Sequence, residues 1–154
     1  MNVFITLGLR TTEPYFDNIP NIEKIIMGDF FNKHILHRYE LFEGKPEKIL
    51  DILCEELNDK ATDVLVSYAC ENIKQMLYLS NKLKENNHRL HTVFIPSPEL
   101  LLMKVEEELE FTRKHANFAS CTELQIEEGY QEWLKIYEEI RHELPKYGIE
   151  VKDV

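Results

Sequence analysis

The first group of residues that could do chemistry follows a short apolar segment near the start of the chain. It consists of Gly8, Arg10, Thr11, Thr12 and Glu13. A guanidinium presents a planar fork of donors, and threonine hydroxyls can orient phosphate or carboxylate oxygens, so the group predicts an anion-binding site. In the alternative interpretation, one of the two threonines only caps the next helical segment.

A second group, Tyr68, Cys70, Glu71 and Asn72, follows another apolar segment. Tyr68 and Glu71 could transfer protons, and the dipole of a following helix would keep Glu71 ionised. Glu71 could equally be a favourable acid in the first turn of that helix. Cys70 could be a nucleophile at a helix N-terminus, but no histidine partner can be named, so we expect a small buried core residue.

Two further segments complete the candidate site. Ser97 and Glu99 follow a third apolar segment, and residues 113–121 form a predicted loop that begins with the basic sequence Arg113-Lys114-His115. A loop with basic side chains and no helical period could cover a bound ligand. We therefore expect Arg113 to contact the same anion as the first group.

The apolar segments are predicted β-strands that position these groups. They comprise residues 3–7, 64–68 and 91–95, and a weaker candidate comprises residues 38–42. Short unbroken apolar runs are typical of strands buried on both faces of a parallel sheet. Helical faces lie between them, formed by Ile22, Ile25, Ile26 and Phe30, by Ile49, Leu53 and Leu57, and by Ile73, Met76, Leu77 and Leu83. This alternation predicts a three-layer, Rossmann-like α/β domain over residues 1–154, with a mainly parallel sheet of four to five strands and a helical C-terminal third.

The order of elements determines where the candidate site lies. Ligands of open parallel sheets bind outside the carboxyl ends of the strands, where helix N-termini present unpaired N–H groups. Because each polar group follows a predicted strand, we expect Gly8, Asn72 and Ser97 to line one site. No metal site is predicted, since His34 and His37 lack a third ligand at a suitable spacing. The sequence identifies no cofactor.

The C-terminal third is helical and acidic. Residues 99–111 are predicted to form a charge-dense helix, and residues 122–144 form a second helix with a continuous apolar stripe. The stripe consists of Ile126, Tyr130, Trp133, Tyr137, Ile140 and Leu144. Core packing is the interpretation that we favour, and a platform for stacking bases is the alternative. A short strand near residues 149–151 is predicted to end the chain.

Composition narrows the class of partner. The 154 residues include 18 Lys and Arg against 28 Asp and Glu, giving a formal net charge of −10. Such a chain is a poor binder of duplex DNA or anionic membranes, so we expect neither as a partner. The acidity is concentrated in residues 99–143, so the segments near Arg10 and Arg113 could still form a small basic pocket.

The three cysteines show neither disulfide nor zinc spacing, and no apolar run could cross a bilayer, so we expect a cytoplasmic protein.

The later part of the chain combines a strand and helix over residues 90–105, the basic segment at residues 113–115 and a long helix that includes residues 127–134. Together with the opening strand, loop and helix, this order resembles that of the P-loop nucleotide and nucleoside monophosphate kinase superfamily. The family's loop, G-x-x-x-x-G-K-[ST], is replaced here by residues 8–14, GLRTTEP, which lack its second glycine and its lysine. The resemblance therefore implies a degenerate P-loop domain, in which Arg10 and Arg113 would be the anion contacts.

Two functional hypotheses follow. In the first, the protein binds a small anionic molecule, a nucleotide or nucleotide-derived metabolite, at the carboxyl ends of the strands. As an enzyme it would be a transferase or hydrolase, with Glu13, Tyr68 or Glu71 transferring the proton. In the second, it is a non-catalytic module that binds a basic protein or forms a homodimer through its acidic, aromatic-striped C-terminal helices.

Overall fold

A five-stranded parallel β-sheet forms the centre of the protein, with helices packed against it. The computed structural model describes residues 1–9, 22–34, 46–67 and 69–154. The strands are β1 (Asn2–Thr6), β2 (Glu23–Ile26), β3 (Val64–Ser67), β4 (Arg89–Ile95) and β5 (Glu150–Asp153). They pair in parallel in the order β2-β3-β1-β4-β5. The predicted α/β class with a parallel sheet is confirmed, and so are the three strong strands and the short final one.

Alternate side chains of the central strands belong to two apolar clusters. Val3 and Ile5 pack in the larger cluster, together with residues of the helices on that side of the sheet. Phe4 and Leu65 point the other way and pack in a smaller cluster with Leu100. Complete burial of a Val, Ile or Leu side chain stabilises the fold by about 1.5–3 kcal/mol. Burial on both faces is the reason that these strands are unbroken apolar runs in the sequence.

Five α-helices lie between the strands in the described part of the chain. They are α1 (Met27–Lys33), α2 (Pro46–Asn58), α3 (Ile73–Glu85), α4 (Pro98–Lys114) and α5 (Glu123–Glu143). The last three begin at polar caps, Asn72, Ser97 and Thr122, each of which accepts a hydrogen bond from the backbone N–H three residues further on. The long pair α4 and α5 confirms the helical C-terminal third. In the ranges given above, no helix combines the length and the apolar character needed to cross a bilayer.

The segment after residue 22 corrects one prediction. Its apolar spacing suggested a single helix, but Glu23–Ile26 forms the edge strand β2, and the helix begins only at Met27. Pairing with β3 places Ile25 opposite Val66, so the β-strand hydrogen bonds and the contact of Ile25 with the core outweigh the helical spacing. The candidate strand over residues 38–42 lies outside the described residues.

Replacing Leu79 with Ala should lower the free energy of unfolding by about 2–5 kcal/mol, because this α3 side chain is fully buried in the larger cluster. Urea denaturation followed by far-UV circular dichroism measures the change. The matched control is Leu124→Ala on α5, where the side chain is 65% exposed. That control should change the stability by less than about 0.5 kcal/mol. Equal losses in the two variants would contradict the assigned core.

Candidate functional site

A cleft of about 790 Å³ opens at the carboxyl end of the sheet, beside the ends of β1 and β3. The chain segments after these two strands form one wall, and α4 and α5 form the other. The lining residues are Leu7, Gly8, Cys70, Glu71, Asn72, Leu101, Lys104, Val105, Glu108, Cys121, Gln125, Ile126, Gly129, Tyr130, Trp133 and Tyr137. Ligands of open parallel sheets bind in this position, outside the strand ends.

Gly8 brings α5 close to the end of β1. Its φ of +71° lies in the left-handed region, and a β-carbon there would fall 2.1 Å from the hydroxyl oxygen of Tyr137. The hydroxyl of Thr6 donates a 3.0 Å hydrogen bond to the carbonyl of Leu9, which fixes the turn around this glycine. Only a residue without a side chain fits both the backbone conformation and the contact with Tyr137.

Glu71 and Asn72 lie on the same wall of the cleft as Gly8, at the start of α3. Asn72 caps the helix by accepting a 2.9 Å hydrogen bond from the backbone N–H of Gln75. The side chain of Gln75 in turn accepts a 2.7 Å hydrogen bond from the backbone N–H of Glu71. These reciprocal bonds hold the loop after β3 in place, while both Glu71 and Asn72 remain exposed at the cleft.

The aromatic stripe of α5 divides between the core and the cleft. Tyr137 is 3% exposed and belongs to the larger apolar cluster. Trp133 stacks on it with ring centroids 5.3 Å apart and an angle of 26° between the ring planes, and it is 39% exposed. Tyr130 is half-buried one turn earlier. Part of the stripe therefore packs in the core, and part of it lines the cleft.

The charges of the cleft are mixed. Among the described residues that line it, Lys104 is the only one with a basic side chain, and Glu71 and Glu108 are the two acids. Asn72 and Gln125 add neutral polar groups. In the part of the chain that the structure describes, no group of three or more His, Cys, Asp or Glu residues could hold a metal ion.

The structure brings together three of the residues predicted to form the site: Gly8, Glu71 and Asn72. Ser97 does not line the cleft, and its hydroxyl instead caps α4 through a 3.1 Å hydrogen bond from the N–H of Leu100. Cys70 of the second group is buried and also lines the cleft. The other candidates in the first two groups lie outside the described residues; they are Arg10, Thr11, Thr12, Glu13 and Tyr68.

Arg113 lies far along α4 from the sheet. This helix of 17 residues is about 25 Å long, and Arg113 is next to its last residue. The guanidinium forms an ion pair with Glu123 at the start of α5, where its side chain is 62% exposed. Arg113 therefore joins α4 to α5 and does not line the cleft.

Sequence reasoning missed Lys104, Glu108 and Gln125. The signal was present, because residues 101, 104, 105 and 108 share one face of a helix at spacings of three and four. A lysine and a glutamate interrupt an otherwise apolar face there, which indicates a face turned toward a cleft rather than a sealed core.

The three thiols occupy different surroundings. Cys54 and Cys70 are buried and Cys121 is exposed. Burial raises the pKa of the Cys54 thiol to about 11, and burial also raises the pKa of Cys70 well above its ordinary value. Both stay protonated at neutral pH, so neither is a ready nucleophile. Cys70 thus has the character of a small core residue, as expected.

Alkylation of the native protein with iodoacetamide near neutral pH should modify one thiol, that of Cys121, because only that sulfur is accessible. All three thiols should react in denaturant. Mass spectrometry of the digested protein measures both results, and Cys121→Ser is the control that should abolish the native reaction. Labelling of Cys54 or Cys70 at the rate of Cys121 would contradict their burial.

Substitution of Gly8 by Ala should destabilise the fold by at least about 1 kcal/mol, since an alanine is strained at positive φ and its β-carbon would collide with the phenol of Tyr137. The double variant with Tyr137→Phe separates the two effects. Removal of the hydroxyl should make the alanine less costly, with a coupling of about 0.5–3 kcal/mol in urea denaturation. A cost of Gly8→Ala that is unchanged in the Phe background would refute the contact.

Neither the protein families nor the curated proteins offer a relative on which a function could be based. No protein-family model matches the chain. No curated protein matches it either. The cleft, its aromatic wall and its few polar side chains are therefore the basis for a proposed function.

Proposed function

We propose that the cleft binds a small anionic molecule with a planar ring, a nucleotide or nucleotide-derived metabolite. Trp133 carries most of the support, because its indole lines the cleft, is 39% exposed and is backed by the ring of Tyr137. An indole that packs on a neighbouring ring and remains partly exposed is suited to stacking on a base. Such stacking contributes about 1–3 kcal/mol per base.

The size and lining of the cleft support a small ligand. Its volume of about 790 Å³ lies within the usual range of ligand pockets. Apolar side chains such as Leu101 and Ile126 are interrupted by a few polar groups, as is typical of sites that orient a ligand through selected hydrogen bonds. The amides of Asn72 and Gln125 are the candidates for contacts with the edge of a base.

The charges favour a ligand with few negative groups. Lys104 could pair with one phosphate, whereas Glu71 and Glu108 would repel a long polyphosphate. Arg10 follows Gly8 by two residues in the sequence and is the proposed second cation. Nucleoside monophosphates therefore suit the proposal better than triphosphates do.

A screen of nucleosides, nucleoside monophosphates and nucleoside triphosphates by thermal shift should find stabilisation by at least one monophosphate. Ligand at about 100 times its Kd would add about 2.7 kcal/mol to the stability. The sole tryptophan, Trp133, should report the same binding through a change in fluorescence. No stabilisation across the whole panel would refute the proposal.

Variants in the cleft sharpen this test. Trp133→Leu should weaken binding about tenfold or more, while Trp133→Phe keeps an aromatic face and should retain most of the affinity. Lys104→Met and Arg10→Ala should weaken the monophosphate but leave the corresponding nucleoside unchanged, because each removes only a charge contact. Equal binding by Trp133→Leu and the parent protein would place the ligand elsewhere.

A further inference from the structure

A second depression, of about 470 Å³, lies between α4 and α5 and is called here the α4–α5 groove. Its apolar lining consists of Leu102, Val105, Leu109, Leu124 and Tyr130. Two of these leucines are unusually exposed to solvent: Leu102 is 43% exposed and Leu124 is 65% exposed. Exposed apolar side chains that line one groove between two helices are typical of a protein interaction site.

The groove is bordered by carboxylates. Glu106 of α4 and Glu127 and Glu128 of α5 line it, and all three are exposed. No lysine, arginine or histidine of the described ranges forms an ion pair with them. The field at the rim of the groove is therefore negative and uncompensated within that part of the chain.

We propose that the α4–α5 groove binds an amphipathic helix of a basic partner protein. Apolar side chains of the partner would enter between Leu102 and Leu124, and flanking Lys or Arg side chains would pair with the three carboxylates. A helix with apolar residues at spacings of three, four and seven lays one face into such a groove. The proposal is independent of any ligand in the cleft.

The carboxylates at the rim favour a basic helix over a second copy of the chain as the occupant of the groove. A twofold-symmetric dimer built on this face would place Glu106, Glu127 and Glu128 opposite the same residues of its partner. Like charges across an interface are unfavourable, and the formal net charge of −10 adds to the repulsion. A basic helix instead gains both electrostatic steering and apolar contact at the same place.

The probe for this proposal is a synthetic peptide of about 18 residues, which spans about 27 Å as a helix. Leucines form one face and lysines the other. A peptide with glutamates in place of the lysines and a scrambled peptide of the same composition are the comparisons. Isothermal titration at low and high salt measures the binding. The leucine–lysine peptide should bind, the other two should bind at least about tenfold more weakly, and salt should weaken the complex.

Matched variants distinguish binding in the groove from attraction to the acidic protein as a whole. The triple variant Glu106→Gln, Glu127→Gln, Glu128→Gln removes the rim charges and should weaken binding about tenfold. The control triple Glu107→Gln, Glu132→Gln, Glu139→Gln removes the same number of exposed charges from the same two helices outside the groove. The control should change the affinity by less than about twofold. Leu124→Ser should also weaken binding, because it removes apolar contact without altering charge.

Three results would overturn the proposal. The first is an equal loss of affinity in the two triple variants, which would indicate attraction to the acidic protein as a whole. The second is equal binding of the scrambled peptide. The third is a dimer in sedimentation equilibrium that Leu124→Ser dissociates, since a second copy of the chain would then occupy the groove.

Discussion

Tyr137 packs against Gly8 so closely that its hydroxyl oxygen lies 2.1 Å from the position of a β-carbon there. This contact joins the last long helix to the end of the central strand. It depends on the left-handed backbone of Gly8, and it sets the distance between α5 and the sheet. Trp133, one turn earlier on α5, is held over the cleft by stacking on the same tyrosine. The aromatic wall at the strand ends therefore depends on a glycine, which has no side chain, at position 8.

Ion pairs contribute little to the stability of this fold. Several of the described ion pairs, such as Lys114 with Glu110 and Arg113 with Glu123, are exposed, and pairs of that kind contribute little to stability. Apolar burial on both faces of the sheet supplies the stability instead. The cleft contains one lysine and two glutamates among its described lining residues, and the neighbouring α4–α5 groove is bordered by three carboxylates. The two depressions share Val105 and Tyr130.

Much of the fold could be predicted because its strongest elements are locally consistent. The runs at residues 3–7, 64–68 and 91–95 contain apolar residues on both faces, which few elements other than buried strands require. β2 could not be predicted, because Ile22, Ile25, Ile26 and Phe30 also fit one face of a helix, and only pairing with β3 distinguishes the two. Three residues named from the sequence, Gly8, Glu71 and Asn72, line the cleft, because they follow strands whose ends must meet at one edge of the sheet.

By itself, the sequence determined the α/β class, the strands of the described sheet other than β2, and the edge of the sheet at which a cleft must open, because short-range apolar patterns and turn residues specify those features. Only the tertiary structure decided which helical side chains face that cleft. The basic segment at Arg113 is expected there, but the length of α4 places Arg113 about 22 Å along the helix, where it pairs with Glu123. Lys104 and Trp133 line the cleft instead, because the packing of α4 and α5 against the end of β1 turns their faces toward it.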